Sequence, residues 1–122
     1  MNNRTIERRQ YARFEPPGVF LSYKKGPFLF LKKEAAETYC PVQNISQGGA
    51  KILCREPLKP GAKMALKITF PENDLTLDLK ARVAWIFPLQ ARDFRFSAGI
   101  QFEKPCQAIA EIQKRYLSSA TW

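Results

Sequence analysis

KMALKITFPENDLTLDLKARVAW, residues 63–85, alternates apolar and polar side chains through two runs joined by a turn. In the first run Met64, Leu66, Ile68 and Phe70 alternate with Lys63, Ala65, Lys67 and Thr69. Pro71 to Asp74 supply turn residues. In the second run Leu75, Leu77, Leu79, Ala81, Val83 and Trp85 share one face, and Thr76, Asp78, Lys80 and Arg82 share the other. A period of two belongs to a strand, whose successive side chains point to opposite sides. One apolar and one polar side mean antiparallel sheet with a core beneath it and water above.

The same pattern extends outward. Toward the N-terminus, a turn around Pro57, Pro60 and Gly61 precedes this pair, and Ala50 to Cys54 reads as a strand. Thr38 to Val42 is another, leading into Asn44, and Val19, Leu21 and Tyr23 mark the face of a first strand. Between these two, Phe28 to Leu31 is wholly apolar and Lys32 to Glu37 is polar, which reads as an extended segment and a loop. Toward the C-terminus, Phe94, Phe96, Ala98, Ile100 and Phe102 line one side of a last strand. The period then changes. Pro105 suits a first helical turn, and Ile109, Ile112 and Tyr116 recur at helical spacing with Leu117 beside them. The expected fold is all-β: a six-stranded antiparallel β-barrel, closed or nearly so, with a C-terminal α-helix over one open end. The expected organisation is a flexible Arg-rich leader over 1–15, a barrel over 16–104 and the helix over 105–122, in one domain without internal repeats.

Composition bounds the function. The 122 residues suffice for one modest core. No run approaches the roughly 18 apolar residues of a membrane-spanning helix, and the opening MNNRTIERRQ lacks the apolar stretch of a signal peptide. The expected compartment is the cytoplasm. Three cysteines (Cys40, Cys54 and Cys106), without a CxxC, read as free thiols in a reducing setting. The chain has no histidine, which removes the commonest general base and metal ligand. Lys and Arg number 20 against 11 Asp and Glu, a formal charge of +9 that favours anionic partners.

Two short constellations carry chemistry. The first is Arg8-Arg9-Gln10-Tyr11-Ala12-Arg13. A guanidinium donates in a fixed plane, matching two phosphate oxygens or the O6 and N7 acceptors of guanine. Taken alone, this run reads more readily as a solvated basic tail. The second is Asn44-Ile45-Ser46-Gln47-Gly48-Gly49, between two predicted strands. Asn and Ser side chains hold turns by bonding nearby backbone, and glycines permit positive φ or the close approach of a ligand. Alone, it reads as a structural hairpin turn.

Together, Arg9-xxx-Arg13 followed by Asn44-x-Ser46-x-x-Gly49 resembles the two-part binding signature of the PilZ family. The resemblance extends over nearly the whole chain: a strand after the arginines, the glycine pair opening the next strand, the segment Ser97-Ala98-Gly99-Ile100-Gln101-Phe102, and a closing helix. It implies that the ligand is cyclic di-GMP, with no cofactor or metal. It assigns Arg9 and Arg13 to guanine edges and phosphates, and Asn44 and Ser46 to polar groups of the ligand. Gly48 and Gly49 would keep that surface open. Asn44 stands where the family accepts Asp or Asn, and without a carboxylate its pairing with guanine N1–H and N2 is weaker. Arg8 would add a guanidinium and favour an intercalated ligand dimer. Phe28 to Lys33 lengthen the connection before the second motif, and their expected role is core filling rather than a partner-binding patch.

A receptor of this kind has no catalytic duty and passes its signal to a protein partner through ordering of the leader. The alternative is a general single-stranded nucleic-acid-binding barrel using the positive charge and exposed aromatics. Against nucleic acid stands the placement of most aromatics on apolar, core-directed faces. An enzyme is disfavoured because Asp74, Asp78 and Asp93 form no cluster in sequence and no nucleophile stands beside a base.

Overall fold

The computed structural model describes residues 11–24 and 37–119. Its strands are β1 (Phe20–Lys24), β2 (Glu37–Ser46), β3 (Gly49–Cys54), β4 (Lys63–Phe70), β5 (Leu75–Pro88) and β6 (Phe96–Phe102), followed by helix α1 (Gln107–Ser119). The strands close in the order β1-β2-β3-β6-β5-β4, and every neighbouring pair is antiparallel. This is the expected six-stranded barrel. Closure leaves no sheet edge unpaired, which also removes the usual template for aggregation. The apolar stretch from Phe28 to Lys33 lies outside the described residues.

The β4–β5 pair follows the alternation closely. Leu66, Ile68 and Phe70 are buried, Thr69 is half-buried, and Lys63, Ala65 and Lys67 face water. Pro71–Asn73 form a single 3-10 turn that ends at Asp74 with a left-handed backbone, φ 51°. Along β5, Ala81 and Val83 are buried, but the alternation then breaks. Val83 stands opposite Ile100 and Trp85 opposite Gly99, so two residues of β5 span one step of β6. This β-bulge inverts the parity of the strand. Trp85 therefore does not join the buried face of Val83 as the bare alternation predicts; it is turned outward and is 40% exposed.

Three other expectations are corrected. The stretch from Asn44 to Gly49 is not one turn: β2 runs through Ser46, β3 starts at Gly49, and only Gln47 and Gly48 turn. Phe94 lies before β6 and packs under the Arg55 guanidinium, 4.7 Å from it. In the helix Ile109 and Ile112 are buried, whereas Leu117 is 55% exposed, and Pro105 precedes the first helical residue.

The helix does more than cover an end of the barrel. Phe14, N-terminal to β1, forms an isolated antiparallel bridge with Ile45 of β2, each amide donating to the other's carbonyl at 2.9 Å. Its ring is buried and meets Tyr116 of α1 at 5.2 Å between centroids. Gln113 and the Tyr116 hydroxyl donate to the carbonyls of Ala12 and Glu15, at 3.2 and 3.3 Å. The described end of the leader is thus part of the core, held between β2 and α1.

Candidate functional site

The bridge at Phe14 builds the site. Residues flanking a bridged pair point to the opposite side from it. With Phe14 and Ile45 directed into the core, Arg13, Asn44 and Ser46 face outward together. Arg13 Nη1 donates to Asn44 Oδ1 at 2.8 Å, across 31 positions of sequence. Asn44 therefore holds the guanidinium from the side, at the edge of the groove. Ser46 is buried, and its Oγ accepts from the Gly48 amide at 3.1 Å, which closes the hairpin turn. The turn is docked from the other side as well: Phe102 and Cys106 amides donate to the carbonyls of Gly48 and Gln47, at 3.0 and 2.8 Å.

The two glycines matter for space rather than for conformation. Neither Gly48 nor Gly49 has a positive φ. A Cβ on Gly49 would overlap the carbonyl oxygen of Ile100, and one on Gly48 would lie 2.9 Å from the Tyr11 ring. The expectation of left-handed glycines is replaced by one of close approach between β3 and β6.

These residues open onto a groove of about 260 Å³ lined by Tyr11, Arg13, Ser46, Gly48, Gly49, Ala84, Trp85, Gly99, Ile100 and Gln101. Register explains the set. Outward positions run across the barrel in two rows, Asn44–Lys51–Gly99–Trp85 and Ser46–Gly49–Gln101–Arg82. Glycines in both rows lower the middle of this surface, and the basic Lys51, Arg82 and Arg13 stand around it. The fold brings Arg13, Ser46, Gly48 and Gly49 together at this groove, and Asn44 reaches it through Arg13. Arg8 and Arg9 lie outside the described residues. Tyr11, Trp85, Gly99 and Gln101 were not among the expected site residues, although Tyr11 lies within the arginine run and Gly99 and Gln101 within the segment from Ser97 to Phe102. A glycine in mid-strand is a signal for close approach, and Gly99 carried it.

A sequence model of the PilZ domain matches residues 7–118. The chain belongs to the PilZ domain family. Among solved structures it is similar to the PilZ domain with c-di-GMP of YcgR from Escherichia coli, at 16% identity and a TM-score of 0.64, over 92% of this chain and 90% of that one. It is also similar to the K. pneumonia MrkH–c-di-GMP complex, at 14% identity and a TM-score of 0.72, over 92% of this chain and 53% of that one. A third likeness is to the Bacillus subtilis inhibitor of motility MotI/DgrA, at 20% identity and a TM-score of 0.66, over 93% and 53%. The chain thus spans about half the length of MrkH and MotI and most of the YcgR domain. At these identities the likeness is one of fold. No curated protein sequence matches the chain significantly. Within the PilZ barrel, the groove lies where the end of the leader, the β2–β3 hairpin, β5 and β6 converge.

Proposed function

We propose that this PilZ chain is a receptor for cyclic di-GMP and has no catalytic role of its own. The observation that carries the reading is Arg13, fixed by Asn44 at the edge of a groove floored by Ser46, Gly48 and Gly49. A positioned guanidinium presents paired donors to phosphate oxygens or to guanine O6 and N7. Two similar solved structures, of the YcgR PilZ domain and of MrkH, contain c-di-GMP. The groove is smaller than the roughly 300–1,000 Å³ typical of small-molecule sites, so the described residues form one side of the contact with a cyclic dinucleotide. Arg8 and Arg9 complete it in this reading, closing over the ligand from the N-terminal side. That closure alters the surface offered to a downstream protein partner, which is how the signal passes on. The free thiols of Cys40, Cys54 and Cys106 fit work in the reducing cytoplasm.

Titration calorimetry tests the reading. Cyclic di-GMP is expected to bind at about micromolar Kd or tighter. Cyclic di-AMP is expected to bind far more weakly, because adenine presents an amino donor where guanine presents O6. Equal binding of both, or of neither, refutes it.

A further inference from the structure

We propose that Cys40 and Cys54 form an oxidisable dithiol inside the barrel, closed to a disulfide by a hydroperoxide and reopened by a small thiol reductant. Register places the two residues together. Val42 of β2 stands opposite Ile52 of β3, so two positions further along the pair Cys40 comes opposite Cys54. Both side chains point inward and are 1% exposed. The Cys54 carbonyl accepts from the Arg95 amide at 3.0 Å, on the side away from β2, and the Val42 amide donates to Val19 at 3.0 Å, on the side away from β3. Cys40 has the parity of Val42, so each cysteine turns its backbone polar groups away from the other's strand. The two are therefore a non-hydrogen-bonded cross-strand pair, with Cα atoms about 4.5 Å apart and side chains at their closest. Disulfides span Cα separations of about 4.4–6.8 Å. The pair lies at the short end of that range, where a bond forms under strain and is more easily reduced again. The dithiol is independent of the nucleotide-binding reading, since neither cysteine lines the groove.

The two thiols divide the chemistry between them. The Cys40 thiol donates a hydrogen bond to the Cys54 sulfur, which holds Cys54 below its usual value against the opposing effect of burial. The same hydrogen bond, and then burial, push Cys40 up. Cys54 is thus the sulfur that ionises first, and the thiolate is the nucleophile. It attacks one oxygen of hydrogen peroxide and breaks the O–O bond, giving a Cys54 sulfenic acid and hydroxide. The Cys40 sulfur then attacks the Cys54 sulfur. The S–S bond forms, the S–O bond breaks, and the departing hydroxyl takes the Cys40 proton as water. Two thiols are oxidised to one disulfide while the peroxide is reduced to two waters. Burial selects the reagent by size. Cys54 is the last residue of β3, and local opening at a strand end admits a molecule little larger than water.

The test is peptide mapping of the folded, unaltered chain after hydrogen peroxide and then alkylation. A Cys40–Cys54 cross-linked peptide pair is expected, lighter by two hydrogens than its reduced parts and restored to them by dithiothreitol. Cys106, the third thiol, is expected outside the link. The oxidised chain should melt on the order of 10 °C higher than the reduced one, because the cross-link restricts the unfolded chain. This rise should be absent in Cys54→Ala. If Cys54→Ala does not fold, mapping and melting of the unaltered chain decide alone. Three results overturn the proposal: Cys40 and Cys54 both still alkylated after peroxide, a link that uses Cys106 or forms only in denaturant, or a melting temperature that does not rise on oxidation.

Discussion

Ser46 and Gly49 face each other across the hairpin, yet they fail differently when replaced. Ser46→Ala deletes the acceptor for the Gly48 amide, and a neutral hydrogen bond is worth about 0.5–1.5 kcal/mol. A small fall in melting temperature and a modest loss of ligand affinity are expected. Gly49→Ala instead drives a Cβ against the Ile100 carbonyl, a backbone atom that cannot swing aside. Overpacking of this kind costs about 1–3 kcal/mol, and β3 must part from β6 under the groove. Thermal unfolding and calorimetry on the two variants should therefore show a larger loss of both stability and binding for Gly49→Ala. At Tyr23, burial first, and then the nearby Cys40, Cys54 and Glu56, push the phenol from 10.0 up to about 12, against a hydrogen bond with Thr38 that lowers it. The folded state thus holds this proton more tightly than the unfolded chain. Its contribution, of order 2 kcal/mol, is whole below pH 10 and is lost as pH rises toward 12. Denaturant midpoints measured across that window should fall, and Tyr23→Phe should flatten this part of the decline.

The short segment before β1 shows how one element serves fold and function on opposite sides. Phe14 points inward and Arg13 outward, as neighbours in an extended segment must. Phe14→Ala empties a buried site against Tyr116 and should cost about 3–5 kcal/mol. Arg13→Ala forfeits the part-buried bond to Asn44 but empties no apolar core, so its melting temperature should stay close to that of the unaltered chain while cyclic di-GMP binding is nearly abolished. Equal stability losses for the two neighbours would contradict this division of labour. Hydrogen exchange examines the same element. The Phe14 amide, bonded to Ile45, should be protected with and without ligand. Protection gained only on adding ligand should appear N-terminal to Tyr11, around Arg8 and Arg9, if their closure is the signal. No change there at saturation would remove the switch while leaving binding intact.

For the whole molecule, the net charge of +9 is common to both classes of partner considered at the outset. The dependence of binding on salt separates them. An oligonucleotide releases many counterions when a basic surface neutralises it, so its affinity falls steeply as salt rises. A ligand with two phosphates should give a shallow slope. Calorimetry at several salt concentrations, with cyclic di-GMP and with a single-stranded oligonucleotide, is expected to show the dinucleotide bound more tightly at physiological ionic strength. The reverse order would favour the nucleic-acid barrel and would recast Lys51, Arg82 and Trp85 as its surface.

The sequence by itself determined the number of strands, most of their inward faces, the terminal helix and the two motifs, because each is written in the period or spacing of residues close along the chain. Met64 to Phe70 needs only its own alternation to declare which side is buried. The tertiary structure decided the rest. Asn44 could be read as part of a turn until β2 was seen to continue through it, paired on both sides. Phe14 looked like one apolar residue in a charged leader, since its partners Ile45 and Tyr116 are 31 and 102 positions away. Trp85 shares its sequence parity with Val83, and only the register against Gly99 reveals the bulge that separates them. A local pattern can specify a strand, but which residues of distant strands stand side by side is settled when the barrel closes, and the groove is made of those neighbours.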